Sequence, residues 1–206
     1  MASSAETISN PRSANKAAIL EAASRLFIDG GVNALSVRAI AKAAGVSTIG
    51  IYSHFESKQG ILDTLYVEGF ELVANALDSI DSSQSTKEIL RQGALNYLAV
   101  AKNNKAHYRL IFGQRQPGYE PSEPARDIAA LTFNKLTDWI GLVLPEQPTR
   151  KQRNLAAVQL WSFLHGTASL MDHDVSQLVD HSHWEKNVLS MLESFHAGLV
   201  EQILKA

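Results

Sequence analysis

Residues 44–58, AGVSTIGIYSHFESK, decide how this chain reads: a tight glycine turn feeds a short helix, and a Ser-Lys pair then opens a longer one. Just upstream, Ser36 is placed to cap a helix whose apolar positions Val37, Ile40, Ala41 and Ala44 follow the i, i+3, i+4, i+7 spacing of one buried face. Gly45 ends that helix, since glycine takes the left-handed backbone of a helix C-terminus without a Cβ penalty. Val46 follows as a plug into a small core, and Ser47 or Thr48 caps a second helix running to about His54. Two helices joined by a tight glycine turn make a helix-turn-helix, whose second member lies in the major groove of DNA.

Outward from this stretch the helical pattern continues. A first helix is predicted from about Asn15 to Asp29, with Ile19, Ala22, Ala23, Leu26 and Phe27 on one face and Gly30-Gly31 at its end. Ser57 caps a long fourth helix with the stripe Ile61, Leu62, Leu65, Gly69, Leu72, Val73, Ala76 and Ile80. Its Gly60 and Gly69 read either as points of softness or as close packing contacts. After the loop DSSQS at 81–85, Ser85 and Glu88 form a capping-box pattern for a helix reaching about Lys102, and a short helix follows near Lys105–Phe112. The stretch GQRQPGYEPSE breaks regular structure before Pro124 opens another helix at the favoured first position, which carries Ile128, Phe133, Leu136, Trp139, Ile140 and Val143 and stops at Pro145. The last two helices span about Arg150–Met171 and His183–Leu204, with Ser182 and Glu185 as a further capping-box pattern. No strand-like alternation occurs. The predicted fold is all-α with about nine helices and no repeats.

Composition bounds the function. With 206 residues, 45% of them hydrophobic, the chain has material for a small domain of about fifty residues joined to a larger one. It contains no cysteine, which removes disulfide frameworks and thiolate zinc sites and suits a reducing, cytoplasmic setting. The first sixteen residues, MASSAETISNPRSANK, lack an apolar core segment and read as a polar tail, not a signal peptide. No charged residue occurs from Asn154 to Met171, but Gln159, Ser162, His165, Thr167 and Ser169 interrupt the apolar run, so it reads as a buried interface helix and not a membrane span. Net charge is −2, unevenly spread: residues 1–58 hold six Lys or Arg against four Asp or Glu, and the remainder holds thirteen against seventeen. Between Asp29 and Glu56 there is no carboxylate, so the expected DNA face lacks the groups that phosphate repels.

The pattern S-V-R-A-I-A-x-A-A at Ser36–Ala44, then Gly45-Val46-Ser47, then I-Y-x-H-F-x-S-K at Ile51–Lys58 resembles the TetR family of transcriptional regulators over roughly Lys16 to Leu65. A shorter segment, LWSFLHGTASLM at Leu160–Met171, is similar to the Trp-His-Gly signature in the ligand-binding half of some members. The resemblance implies a three-helix DNA-binding domain at 15–57 after a disordered tail at 1–14, and a ligand-binding and dimerisation domain at 58–206. It also implies a homodimer in which the last two helices pair with their copies. The spacing of Val188, Leu192, Phe195, Leu199 and Ile203 is compatible with that seam, and packing within the chain is the alternative.

Carried over position by position, the DNA-contacting residues implied are Ser47, Thr48, Ile49, Gly50, Tyr52, Ser53 and His54, with Tyr52 and His54 gripping phosphate. Lys58 does likewise from the positive end of the fourth helix, and Ser36 and Arg38 flank the other phosphate strand. Ile51 and Phe55 are core residues. Ile49 and Gly50 depart from the commonest family form, where a small residue and then threonine, serine or alanine are frequent. An outward Ile49 packs on a thymine methyl, and an inward one would join the domain core. Tyr97, Tyr108, Phe112, Phe133, Trp139, Trp161 and His165 are candidates to line an apolar effector cavity, with ordinary core packing as the alternative for each. His173, His181 and His183 near Asp172, Asp174 and Asp180 read as a solvated loop, so no metal site and no cofactor is expected.

The leading expectation is thus a ligand-responsive DNA-binding regulator, a repressor acting as a homodimer on a palindromic operator, with double-stranded DNA and a small-molecule effector as partners. The alternative from another class is an all-α enzyme using His165 in acid-base chemistry, against which stands the lack of any nucleophile motif, phosphate loop or metal spacing.

Overall fold

The computed structural model describes residues 11–113, 117–145, 147–174 and 184–204. Among them all regular structure is helical, as expected: α1 (Pro11–Gly30), α2 (Val37–Ala44), α3 (Thr48–Phe55), α4 (Lys58–Asp78), α5 (Thr86–Asn103), α6 (Lys105–Phe112), α7 (Glu123–Ile140), α8 (Arg150–Met171) and α9 (Trp184–Leu204), with a 3-10 turn at Gly31–Ala34. No helix among the described residues is long and apolar enough to cross a membrane.

Helix α1 begins at Pro11, so residues 11–14, assigned to the tail from sequence, are helical, and the rest of that tail lies outside the described residues. Proline suits a first helical turn, where its missing N–H has no partner to lose. The chain divides into two compact units, Met1–Glu68 with Ala106–Ala125, and Gly69–Lys105 with Arg126–Ala206. This division falls inside α4 and not at Lys58, the boundary drawn from sequence. Its cause is packing: Ile61, Leu62 and Leu65 of α4 are buried in the same core as Ala106, Leu110 and Tyr119.

The first unit is built around Ile19, Ala22, Ala23 and Phe27 of α1, Ile40 and Ala41 of α2, and Ile51 and Phe55 of α3. Its turns are closed by the residues the sequence nominated. Ser36 Oγ accepts the Ala39 N–H at 3.1 Å. Gly45 takes φ 68°, and the Val46 N–H returns to the Ala41 carbonyl at 3.0 Å, the six-to-one bond of a Schellman turn. Ser47, rather than Thr48, caps α3 by accepting the Gly50 N–H at 3.0 Å.

The passage from α3 to α4 is sharper. Glu56 has φ 59° and the Ser57 N–H donates to the Phe55 carbonyl at 2.5 Å, a γ-turn that non-glycine residues rarely adopt. Ser57 Oγ then accepts the Gly60 N–H at 3.2 Å and opens α4. Gly60 is a close-approach residue, since a Cβ there would lie 2.2 Å from the Phe55 carbonyl oxygen. Further along, Asp63 Oδ1 accepts the Tyr119 hydroxyl at 2.9 Å, the Ser122 N–H at 3.2 Å and the Gln59 amide at 3.0 Å, fastening the segment before α7 to α4. Burial, then the Asp63 carboxylate, drive the Tyr119 phenol far above its ordinary pKa.

In the second unit α5 packs on α8 and α9, and α8 on α9. Trp139 lies against Gly93, where a Cβ would stand 2.4 Å from the indole ring. Two sequence expectations need correction here. Ser85 Oγ accepts the Glu88 N–H at 3.3 Å, but the Glu88 carboxylate turns to Arg91 at 2.8 and 2.7 Å instead of back to the cap, so that box is half formed. The reciprocal box occurs at Thr149 and Gln152, with bonds of 2.8 and 3.3 Å, while the one expected at Ser182 and Glu185 lies outside the described residues. Pro124 occupies the second position of α7, after Glu123, and Ser122 Oγ accepts the Ala125 N–H at 3.4 Å.

The apolar stripe of α9 is also reassigned. Val188, Leu192 and Leu199 are buried, and Phe195 stacks on Phe163 at 5.2 Å, so these residues pack within their own chain and are not the face left for a second copy. The side chain of Ile203 lies outside the described residues. Exposed apolar residues on these two helices are instead Leu155, Val158 and Leu170 of α8 and Met191 of α9.

Two glycines ten residues apart in the first unit, Gly50 and Gly60, should respond oppositely to the same substitution. At Gly50 a Cβ would meet only Ser47 Oγ at 3.5 Å and Val46 Cβ at 3.8 Å, so Gly50→Ala is expected to stabilise by up to ~1 kcal/mol through helix propensity. Gly60→Ala is expected to destabilise by roughly 1–3 kcal/mol or more, because the Phe55 backbone cannot step aside. Urea midpoints of the two variants check both signs. A second expectation concerns acid. Hydrogen bonds from Ser83 and Gln84 hold Asp81 down at about 2, and those from Arg91 and Gln92 hold Glu88 at about 2. Their stabilising effect is complete above the ordinary carboxylate range and fades as pH falls toward 2. NMR titration of the Glu88 carboxyl carbon is expected to show that low midpoint and its return upward in Arg91→Ala.

Candidate nucleic-acid interface

Eight residues give α3 barely two turns, too few to persist alone in water, so its placement rests on what it buries. Ile51 and Phe55 are 0% and 5% exposed, as expected of core residues. The opposite face presents Thr48, Ile49, Tyr52 and Ser53 to solvent, with Ile49 78% and Tyr52 53% exposed. The inward alternative for Ile49 is therefore removed. Gly50 is half-buried between these positions, and the Ser53 hydroxyl donates to the Gly50 carbonyl at 2.8 Å.

Around this face the polar candidates differ in what they have left to give. Ser36 and Ser47 spend a lone pair each on capping, and each hydroxyl keeps its own hydrogen to donate to an anion. Arg38 is exposed on α2, and Lys42, four residues on and also exposed, shares its face. The sequence reading passed over Lys42, although its i+4 spacing from Arg38 was visible. It also passed over Lys16, whose ammonium lies 5.9 Å above the Phe55 ring, a contact across two helices that no local spacing reveals. His54 is half-buried, with its ring 6.1 Å from that of Phe55. Lys58 is engaged inward: its ammonium donates to the Val32 carbonyl at 2.9 Å, bracing the start of α4 against the turn that precedes α2. Glu56, exposed at the end of α3, is the first carboxylate after Asp29.

The seven effector-site candidates divide between the units. Tyr108 and Phe112 fall in the first, in edge contact at 5.2 Å. Tyr97, Phe133, Trp139, Trp161 and His165 fall in the second. There the Trp161 indole N–H donates to the Tyr97 hydroxyl at 3.1 Å, while Tyr97 and Phe133 pack against the core and His165 is half-buried on α8. Trp139 is buried, and its indole N–H meets no acceptor among the described residues. A separate groove of about 430 Å³ between α5 and α9 has Leu90, Leu189 and Leu192 as its apolar lining and the Lys87–Glu193 ion pair, at 2.9 Å, beside them. None of the seven candidates lines it. Of the loop histidines, His173 is described, while His181 and His183 lie outside the described residues.

Comparison with known proteins agrees with this geometry. A family model described as bacterial regulatory proteins, tetR family, matches residues 19–65, and one described as tetracyclin repressor-like, C-terminal domain, matches residues 90–181. The chain is 38% identical over 162 residues to the HTH-type transcriptional repressor KstR2 of Rhodococcus jostii, an alignment covering 64% of this chain and 79% of that one. Among solved structures it is similar to the TetR family transcriptional regulator PfmR from Thermus thermophilus, with a TM-score of 0.67, 20% identity, and 87% and 97% of the two chains covered. It is also similar to a TetR variant from Acinetobacter baumannii in complex with minocycline, with a TM-score of 0.56, 19% identity, and 90% and 96% covered. At those identities the structural likenesses speak for the fold alone. The sequence matches go further, taking in the helix-turn-helix whose caps, core and outward face are set out above, and by them the chain belongs to the TetR family of bacterial transcriptional regulators.

Proposed function

We propose that this DNA-binding regulator is a ligand-responsive repressor that grips a palindromic operator as a homodimer. The observation that carries this reading is the outward face of α3, with Ile49 and Tyr52 exposed on a helix anchored by Ile51 and Phe55 and set in a stretch without carboxylates from residue 30 to 55. Tyr52 and His54 fix the helix to one phosphate strand, and Ser36 and Arg38 hold the other. Thr48, Ile49, Gly50 and Ser53 lie toward the bases, with Ser47 at the entry of the helix. Lys58 reaches phosphate only through the donors not given to Val32. The repressor sense follows the similarity to KstR2, which is named a repressor.

The excess charge of residues 1–58 is only +2, so two copies are needed to double the phosphate contacts. Dimerisation runs through the last two helices, on the outward sides carrying Leu155, Val158 and Met191, where Gly166 and Gly198 have open space above them. An effector binds in the second unit, where the Trp139 N–H, which meets no acceptor among the described residues, offers a donor, and a TetR variant of this fold is known in complex with minocycline. To turn the protein from almost all bound to almost all released, that effector must prefer one state by ~10⁴-fold. The protein acts in the cytoplasm, needs no cofactor or metal, and is not an enzyme; acid-base chemistry at His165 finds no support in the comparisons.

Duplexes selected by the full-length protein from a random pool, then tested by gel shift, examine this reading. A dyad-symmetric site bound saturably, and lost in Tyr52→Ala with thermal unfolding unchanged, is the expected result; absence of any selected site would refute it. Arg38→Ala is expected to weaken binding to all sequences alike and to flatten the salt slope by about one unit. Met191→Glu, at a residue 57% exposed, is expected to shift sedimentation from dimer to monomer without lowering secondary structure, and an unchanged dimer would place the interface elsewhere.

A further inference from the structure

We infer that α3 reads the C5 methyl group of a thymine through Ile49, so that each operator half-site holds one thymine that neither cytosine nor uracil replaces without loss. The inference rests on the DNA-binding reading above and narrows it to a base and an atom. Residues near the start of a recognition helix are the ones that meet base edges, and Ile49 is the second residue of α3. A large aliphatic side chain left 78% in water at that place joins neither hydrophobic core among the described residues. Its neighbour Gly50 adds no side chain that would hold the helix off the groove floor, which leaves Ile49 to set the depth of approach.

The chemistry of the remaining positions points the same way. Bidentate reading of guanine takes Arg or Lys, and that of adenine takes Asn or Gln, and TIGIYSHF contains none of the four. The hydroxyl of Ser53 is already donated to Gly50, and the oxygen of Ser47 already accepts from it. Ile51 and Phe55 face inward. What α3 has to offer a base edge is chiefly an exposed branched alkyl group, and the one apolar feature in the major groove is the methyl at C5 of thymine. The surrounding carboxylate-free stretch, with Arg38 and Lys42 exposed on α2, supplies the charge complementarity that brings this group to a duplex.

The test uses the full-length protein and the duplex it selects from a random pool. Each thymine is replaced singly by deoxyuridine, which pairs identically and lacks only the methyl. One position per half-site is expected to lose roughly three- to tenfold in affinity, the worth of one methyl contact. At that position a pair of 5-methylcytosine with guanine is expected to bind better than cytosine with guanine. In Ile49→Ala both differences are expected to vanish, with thermal unfolding little changed because the side chain is largely exposed and outside the core. Deoxyuridine that is neutral at every thymine, or a penalty that survives in Ile49→Ala, overturns the inference and leaves the regulator reading standing. Failure to select any duplex overturns both.

Discussion

Burial of Ile51 and Phe55 is the interaction on which the rest of the first unit depends. An eight-residue helix closes too few hydrogen bonds to offset its own nucleation, so α3 exists because these two side chains enter a core furnished by α1, α2 and the first turns of α4. Everything around it serves to deliver those two residues at the right angle. Gly45 reverses the chain within one left-handed residue, and Ser47 satisfies an amide that the helix start would leave unpaired. At the other end, the absent Cβ of Gly60 lets α4 begin directly beneath the last carbonyl of α3. The strain of Glu56 is tolerated there because Phe55 and Gly60 fix both ends of the turn.

The electrostatics of this unit come from omission more than accumulation. Six cations over residues 1–58 are few for a protein that meets a polyanion, and one of them, Lys58, is partly spent on a backbone carbonyl. Arg25 is paired with Glu21 on α1. What distinguishes the exposed face is that no acidic side chain interrupts it between Asp29 and Glu56. A weak positive field with no repulsive centre gives association without strong retention on arbitrary sequence, which in the arrangement proposed above leaves discrimination to the outward side chains of α3.

Local punctuation was legible in the sequence, and its partners across space were not. Ser36, Gly45 and Ser57 act within four residues of themselves, so their roles could be read from spacing, and α6 and α8 appear with the bounds expected of them. The return half of the Ser85–Glu88 box is missing because Arg91 and Gln92, one turn on, compete for the same carboxylate. The α9 stripe was visible as a stripe, but periodicity is the same whether the surface it meets belongs to the same chain or to another; the burial of Val188, Leu192 and Leu199 and the Phe163–Phe195 stack decide. Lys58 and Val32 stand twenty-six residues apart, and the Asp63–Tyr119 bond spans fifty-six, distances over which no pattern rule operates. The aromatic candidates for an effector site shared a residue type and nothing else that sequence could weigh, and they fall in two units.

In α3 the residues that hold the helix and the residues that meet solvent are disjoint sets: Ile51 and Phe55 on one side, Thr48, Ile49, Tyr52 and Ser53 on the other. Selection can therefore rewrite the second set without taxing the first. Under the proposed reading of that outward set, a lineage of duplicated copies would be free to drift toward new promoters while inheriting an unchanged scaffold, and an engineer could retarget the molecule by swapping a few surface letters.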